Sequence, residues 1–506
     1  IKDLTEKKFE EIKRISSESM ESVNKYFQML PDTSLLKKEF LNKSSQFFDL
    51  TALRNWLSEN LSMGSIDVNI MTKLDKENFA FKSDVRLPVE FNDAHASLRG
   101  FANSELSSAI IFSAGMNPRL YNYLESFDQF YPDENGQLQK RIVLKVSDYR
   151  SALIQGKYLA KKGLWVSEFR VESGLNCGGH AFATDGLLLG PILDEFKNNK
   201  EELKNVMHEL LVEGLKNKGC KIPVSIMELK ITAQGGVGTA EEHEFLLSNY
   251  NLDKVGWGSP FLLVPEAISI DEDTLEKLKM AGENDVYLSG ISPLGVPFNN
   301  LRGNSKDEEK FNRIDKGNPG SSCPKKFLSL NSEFTDTPIC TASRQYQYFK
   351  INQLKEANLP KETYDLRVKK VTEKSCICVG LGTSALLVNK LDTRVEGDGV
   401  SICPGPNIAY FSKTMSLVDI TNHIYDRSNF MDNPNRPNVF VKELSLYVSY
   451  LLNEFHERSI DLTEKDGKYL INFTNNILDG IEYYLNLFGK EKNFFIQNKT
   501  IIKCEL

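Results

Sequence analysis

Apolar residues recur at helical spacing at both ends of the chain. In residues 1–63 the helical pattern is carried by Phe9, Ile12, Ile15, Met20, Val23 and Phe27. Near the C-terminus, one stripe runs from Val441 to Phe455 and a second from Leu470 to Phe488. A period of three to four residues is typical of amphipathic helices. The pattern therefore predicts a helical N-terminal segment over 1–63 and a helical C-terminal cap over 431–506.

Between residues 64 and 280 the pattern changes to short apolar runs separated by amphipathic segments. The runs cover residues 66–71, 109–112, 142–146, 164–169, 228–232 and 254–257. Continuous apolar runs that alternate with helical segments are typical of strands buried on both faces of a parallel sheet. We therefore expect an α/β fold with a parallel (β/α)8-type barrel over 64–280.

The region 281–430 is predicted to be an insertion or extension that contains cysteines and could complete the barrel. Residues 302–322 are polar and contain glycine and proline, which predicts a long loop. Residues 374–387 resemble a strand, a glycine turn and a helix, so they could supply a further barrel strand. A second break is expected over 425–438.

Composition excludes several classes of protein. The 506 residues are 41% hydrophobic and 26% charged, which is typical of a globular protein and not of a disordered or fibrous one. The net charge is −7 without a block of Lys or Arg, so nucleic-acid binding is not expected. No apolar run approaches the roughly 20 residues of a membrane helix. Eight cysteines do not form a disulfide scaffold at this length, and a cytoplasmic location is expected.

Three segments that could carry a binding or catalytic site lie at the carboxyl ends of predicted strands. They are VESGLNCGGH at 171–180, ITAQGGVGT at 231–239 and KVGWGSPF at 254–261. Barrel enzymes place their active sites at the carboxyl ends of the strands, and late loops commonly bind phosphate. Glycine turns expose backbone amides to an anion, and His180 could move a proton near neutral pH. The alternative is that these are tight turns, with His180 a structural residue.

The order of these segments resembles the nitronate monooxygenase-like FMN barrels and the related enoyl reductases of polyunsaturated fatty acid and polyketide synthesis. The resemblance covers about residues 64–265. It includes Val68-Asn69 on the first predicted strand and Lys145-Val146-Ser147 after the third. These families also open with two strands that have no counterpart upstream of residue 64.

The resemblance implies a flavin site. Its cofactor-binding residues would be Asn69, Lys145, Gly178, Gly179, Gly235, Gly236, Gly256, Gly258 and Ser259. Asn69 and Lys145 would lie against the flavin ring, and Lys145 would stabilise the negative charge of the reduced flavin. His180 would be the catalytic acid or base beside the substrate. His243, in the next predicted helix, is expected on a helix surface.

Five cysteines, Cys323, Cys340, Cys376, Cys378 and Cys403, fall within one stretch of the chain. Thiolates in loops could hold an iron–sulfur cluster or zinc, or could form a redox-active pair. Buried reduced cysteines are common and no C-x-x-C pair occurs, so plain core packing is the interpretation that the sequence favours. Cys376 and Cys378 are expected on a strand, with both side chains on one face.

The leading hypothesis from the sequence is an FMN-dependent oxidoreductase, nitronate monooxygenase-like or enoyl reductase-like, that acts on a small organic substrate. A second is a glutamate synthase-type enzyme with both flavin and an iron–sulfur cluster. A third is a non-catalytic barrel that serves as a scaffold or partner subunit. A homo-oligomer is compatible with each of them.

Overall fold

The N-terminal segment forms a small helical unit with its own core. The computed structural model describes residues 2–13, 17–44, 50–61, 64–72, 74–81, 85–177, 185–395, 397–433, 436–459 and 462–490. The first four helices are α1 (Lys2–Lys13), α2 (Ser17–Gln28), α3 (Leu35–Ser44) and α4 (Leu50–Asn60). Phe27 and Phe40 stack with ring centroids 3.8 Å apart, beside Trp56. The predicted helical segment is confirmed.

The centre of the protein is a parallel sheet. Its strands are β1 (Val68–Ile70), β2 (Ser108–Phe112), β3 (Lys140–Val146), β4 (Val166–Glu172), β5 (Lys230–Gln234) and β6 (Lys254–Gly256). In the described ranges these six strands lie in chain order, and every neighbouring pair is parallel. This is the strand order of a singly wound barrel. Each of the six apolar runs therefore corresponds to a strand, as predicted.

Helices follow the strands and cover one face of the sheet. They are α5 (Asp93–Ala102), α6 (Pro118–Leu124), α7 (Tyr149–Ala160), α8 (Leu189–Lys218) and α9 (Ala240–Asn249). Phe169 on β4 packs against Phe196 on α8, and both side chains are fully buried. Because the helices bury this face, polar side chains on the strands are expected on the opposite face of the sheet.

The region after β6 adds mainly helices. Its elements are α10 (Glu272–Met280), β7 (Val286–Ser289), β8 (Phe298–Leu301), α11 (Ser305–Asp315), α12 (Arg344–Glu356), α13 (Lys361–Glu373), α14 (Ile377–Val388) and α15 (Leu417–Ile424). β7 and β8 form a separate antiparallel pair, so among the described residues they do not extend the parallel sheet.

Two sequence predictions in this region are wrong. Residues 302–322 contain helix α11, which begins because the Asn304 side chain accepts a hydrogen bond from the Asp307 amide. Asp307 is itself buried, and its carboxylate accepts a hydrogen bond from the Asn300 side chain. The Ser305 hydroxyl accepts the amide of Val400, a contact with a distant segment that the sequence pattern does not reveal. Residues 374–387 form the start and body of α14 and no strand. Gly380 lies within that helix, where a Cβ would meet the Ser401 side chain, so its role is close packing.

The last two helices, α16 (Val439–Arg458) and α17 (Glu464–Lys490), pack on the sheet domain. Phe440, Tyr447, Phe473 and Tyr484 are buried in the same core as the strands. The predicted C-terminal helices are thus confirmed, and so is the α/β class with a helical segment at each end.

One described stretch, Lys361–Val388, has the length and composition of a membrane-crossing helix. It comprises α13 and α14, which are separated at Lys374, and 44% of its most apolar window is buried in the fold. Core helices often have this composition.

Candidate functional site

The sheet has one apolar and one polar face. Because side chains alternate along a strand, Phe169 and Val171 of β4 point into the helix-covered core, whereas Glu168, Arg170 and Glu172 share the opposite face. Such a run of charges inside a buried strand requires partners on the same face. The ion pairs and hydrogen bonds of these three residues therefore show which part of the polar face could form a functional site.

Lys145 and Glu172 form an ion pair at the carboxyl ends of β3 and β4. The Lys145 Nζ lies 2.9 Å from Glu172 Oε1, and the two side chains are 12% and 3% exposed. Glu172 also accepts hydrogen bonds from Asn176 Nδ2, at 2.9 Å, and from Gln234 Nε2 on β5. These bonds fix the carboxylate, and the carboxylate in turn holds the Lys145 ammonium in place. We call this edge of the sheet, formed by the carboxyl ends of β3 to β6, the mouth of the sheet.

A second pair lies one step closer to the amino ends of the strands. Arg170 donates from Nε and Nη2 to Glu168 Oε1, at 2.8 and 2.7 Å, and Thr232 Oγ1 donates to the same oxygen at 2.8 Å. The pattern of apolar runs gives no sign of Glu168, Arg170 or Glu172 as site residues. The E-x-R-x-E pattern at 168–172 could have revealed them, since it places three charges on one face of a strand.

Asn69 lies on the same polar face but two strands away from Lys145. It pairs in register with Ile111 of β2, which pairs with Val143 of β3, so Asn69 is level with the residue two before Lys145. Asn69 borders an apolar cavity of about 410 Å³, which is also lined by Ile377 and Cys378. Asn69 and Lys145 thus share a face without a direct contact.

The glycine turn after β5 is shaped by packing within the protein. Gly235 and Gly236 have positive φ angles of 104° and 82°. A Cβ at Gly235 would lie 2.8 Å from the Asn176 Cα, and one at Gly236 would lie 2.7 Å from the Leu175 side chain. The two glycines therefore allow the loop after β5 to pack directly on the loop after β4.

The start of α9 already holds an internal carboxylate. Glu242 Oε2 accepts the Gly238 amide at 2.9 Å, and Oε1 accepts the Val439 amide at 2.7 Å. Arg436 Nη1 lies 2.6 Å from the same Oε1, and the Arg436 and Glu242 side chains are only 3% and 2% exposed. The Gly238 amide, which the sequence suggested for anion binding, is thus satisfied by the chain itself.

The loop after β6 lies beside the loop after β5, since Gly256 pairs in register with Gln234. A Cβ at Gly258 would lie 3.0 Å from the Cys177 Cβ, and Ser259 is 4% exposed. The loops after β4, β5 and β6 therefore meet at one end of the sheet, as parallel strands require. The role of these glycines and of Ser259 in cofactor binding stays a prediction.

Gly178, Gly179 and His180 lie outside the described residues. The chain on either side of them is anchored by Glu443 of α16. Its carboxylate accepts the Ser173 hydroxyl at 2.7 Å and the Gly174 amide at 3.3 Å on one side, and the Leu189 amide at 2.8 Å on the other. Complete burial raises the pKa of the Glu443 carboxyl to about 7.

Two histidines border the loops after β5 and β6. Trp257 Nε1 donates to His243 Nδ1 at 2.9 Å, and burial lowers the pKa of that imidazole. His243 is therefore a partly buried partner of Trp257, and its predicted place on a helix surface is wrong. His423 Nε2 lies 2.9 Å from the Gly238 carbonyl oxygen, and burial lowers its pKa as well.

The cysteines divide into two groups. Cys323 contacts Cys340 and Cys376, and Cys376 contacts Cys378, whereas the Cys403 carbonyl oxygen accepts a hydrogen bond from Cys177 Sγ at 3.2 Å. Cys376 and Cys378 start helix α14, so their predicted place on a strand is wrong. Within the described ranges, no three His, Cys, Asp or Glu side chains are arranged to hold a metal ion.

Comparison with known proteins gives distant similarities only. No family model matches the chain, and no curated protein matches it either. Among solved structures, it is similar to the enoyl reductase domain of MlnA from the macrolactin biosynthesis cluster of Bacillus amyloliquefaciens. That match has 14% identity and a TM-score of 0.36, and it covers 64% of this chain and 75% of the other.

A second similar structure is FabK from Thermotoga maritima. It has 12% identity and a TM-score of 0.34, and the match covers 80% of this chain and 83% of that one. Similarity at this level does not establish a shared fold or activity. The architecture of this chain therefore rests on its own strand order, and its function must be argued from its own site.

Proposed function

We propose that this protein is a flavin-dependent oxidoreductase that holds FMN at the carboxyl ends of β3 to β6. The observation that carries the proposal is the Lys145–Glu172 ion pair at the mouth of a parallel sheet. Parallel α/β sheets place ligands at this end of their strands. A fixed ammonium group there suits a cofactor that gains negative charge on reduction.

The residues at the mouth fit the ring of a flavin. Lys145 supplies a positive charge, and Gln234 and Asn176 hold its partner Glu172 in place. Because Glu172 is 3% exposed and accepts several hydrogen bonds, it keeps Lys145 oriented without becoming solvated. When bound, FMN would supply two-electron transfer from a small organic substrate or NAD(P)H to oxygen or an electrophilic double bond.

The phosphate of FMN would be held by the loop after β6. The Gly238 amide at the start of α9 is bound to Glu242, and a phosphate there would meet this buried carboxylate. The amides of Gly256, Gly258 and Ser259 remain as the proposed phosphate ligands. The proposal thus keeps both glycine loops at the site but assigns the anion to the second of them.

We assign the acid or base step to His180 because its GGH segment resembles that of the FMN barrels. Hydrogen bonds from Ser173 and Leu189 to the Glu443 carboxylate hold the two flanks of that segment at the carboxyl end of β4. A positioned imidazole contributes typically about 10²–10⁴-fold to a rate. The substrate would be a small organic molecule, as in nitronate monooxygenase-like or enoyl reductase-like chemistry.

The test is flavin binding and redox titration of the purified chain with added FMN. We expect a yellow complex with flavin absorbance. Lys145→Met should lower the reduction potential of the bound FMN and slow its reduction by NADPH by about 10²–10³-fold. Lys254→Met is the matched control, because Lys254 is an exposed lysine at the amino end of β6.

A colourless protein that takes up no FMN would overturn the proposal and favour the scaffold hypothesis. Equal potentials for Lys145→Met and Lys254→Met would leave flavin binding intact but show that Lys145 does not face the ring.

A further inference from the structure

Four cysteine side chains from three separate segments come together beside Phe298 of β8 and Ile377 of α14. Cys323 contacts Cys340 and Cys376, and Cys376 also contacts Cys378. Cys340, Cys323 and Cys376 are 1%, 5% and 6% exposed. The four thiols form a chain of sulfur contacts in the order 340, 323, 376 and 378, which we call the thiol chain.

The backbone holds the first two of these cysteines close together. Ser321 and Ser343 form a parallel bridge, with the Ser321 amide bonded to the Ala342 carbonyl and the Arg344 amide bonded to the Ser321 carbonyl. Gly320, with φ of 87°, lets the first segment approach, since a Cβ there would lie 2.7 Å from the Arg344 Cα. The Cys323–Cys340 contact is therefore a property of the fold rather than of side-chain rotation alone.

The contacts within the thiol chain shift the pKa values of its members in opposite directions. A hydrogen bond from Cys323 and the backbone amides of Ala342 and Ser343 lower the pKa of Cys340. Hydrogen bonds from Cys323 and Cys378 lower the pKa of Cys376. Those same contacts raise the pKa of Cys323.

A large cleft gives access to one end of the thiol chain. The cleft has a volume of about 1400 Å³ and is lined by Cys323 and Cys340, with Ser321, Ser343 and Arg344 around them. Cys376 does not line it, and Cys378 borders the separate apolar cavity beside Asn69. Since both cleft-lining sulfurs are nearly buried, only a small reagent can reach them.

These observations favour sulfur chemistry over metal binding. A metal needs three or more ligands around one point, and the described residues provide no such group. The sulfur contacts are instead pairwise. A low-pKa thiol beside a second thiol is the arrangement that reacts with a small oxidant and then forms a disulfide.

We propose that Cys340 and Cys323 form a peroxide-reactive dithiol that closes to a reversible disulfide. The Cys340 thiolate attacks one oxygen of hydrogen peroxide, the O–O bond breaks, and a sulfenic acid and hydroxide form. The Cys323 sulfur then attacks the Cys340 sulfur, the S–O bond of the sulfenic acid breaks, and the Cys323 proton passes to the departing oxygen, which leaves as water. Overall, two thiols are oxidised to one disulfide and one peroxide is reduced to two waters.

The experiment treats the reduced 506-residue chain with hydrogen peroxide, alkylates free thiols with iodoacetamide and maps the peptides under non-reducing conditions. We expect a peptide pair joined through Cys323 and Cys340 that dithiothreitol separates. Cys323→Ser should stop at a sulfenic acid on Cys340, trapped by dimedone, and Cys340→Ser should give neither product. Cys220→Ser is the control and should form the disulfide like the wild type, because Cys220 lies outside the thiol chain.

The wild-type peptide map tests the proposal even if a serine variant fails to fold. Cys323 and Cys340 that stay fully alkylatable under peroxide would overturn it, as would a disulfide that joins Cys376 to Cys378 instead. Stoichiometric zinc or iron in the purified protein, released when these thiols are blocked, would also overturn it and identify the thiol chain as a metal site.

Discussion

Glu443→Gln should remove a specific pH dependence from the stability of this protein. Glu443 is 1% exposed, and its carboxylate accepts hydrogen bonds from Ser173, Gly174 and Leu189. Burial outweighs these bonds and raises the pKa from its ordinary value of 4.5 to about 7. Glutamine is uncharged, like the protonated acid, and its Oε1 can still accept from Ser173 and Gly174. Its amide nitrogen cannot accept the Leu189 N–H, so the substitution also has a cost that does not depend on pH.

The magnitude follows from the two pKa values. Between pH 4.5 and 7 the folded protein binds this proton more tightly than the unfolded chain does. The contribution of Glu443 is therefore fully present below pH 4.5 and is lost as the pH rises to about 7. Each pKa unit corresponds to about 1.4 kcal/mol, so the loss between pH 5 and pH 8 is roughly 2.5 kcal/mol.

The assay is urea unfolding followed by tryptophan fluorescence at intervals from pH 5 to pH 8. The free energy of unfolding of Glu443→Gln should rise relative to wild type by roughly 2.5 kcal/mol over this range. Glu482→Gln is the control, because Glu482 is exposed on α17 and its surroundings change little on unfolding. A difference between Glu443→Gln and wild type that stays constant within about 0.5 kcal/mol would refute the reasoning.

Arg436→Met should lower the free energy of unfolding by about 3–5 kcal/mol, because it leaves a buried carboxylate without its cation. Arg394→Met, which removes an exposed ion pair, should leave the urea midpoint unchanged, and equal effects of the two variants would contradict this. Gly190→Ala should cost about 1–3 kcal/mol, because its methyl group would overlap the Tyr484 ring. Gly100→Ala, with open space at its Cβ, should not destabilise in the same melts, and a similar loss for both would argue against the contact.

The sequence was sufficient for the main elements of the fold. The six apolar runs became the strands of one parallel sheet, and the stripes from Val441 and Leu470 became α16 and α17. These predictions succeeded because burial imposes a period on the chain, and a period is a local property. The predicted loop at 302–322 failed because α11 depends on a cap at Asn304 and on a distant segment, whose Val400 amide donates to the Ser305 hydroxyl.

The sequence also indicated which end of the sheet carries the site. Parallel strands run in the same direction, so the residues that follow them lie at the same edge of the sheet. Gln234, Gly256 and the loop that contains Asn176 are therefore neighbours. Lys145 was identified from a short motif. Its partner Glu172 was missed, because an ion pair across two strands depends on register, which periodicity does not specify.

Only the tertiary structure decided which groups are satisfied and which remain available. The Gly238 amide has an anion-binding sequence around it, yet Glu242 and Arg436, which lie 194 residues apart in the chain, occupy that position. Likewise, the spacing of Cys323, Cys340 and Cys376 gives no sign that their sulfurs meet. Contacts between distant segments depend on how whole elements pack, and no local pattern of residue types encodes that packing.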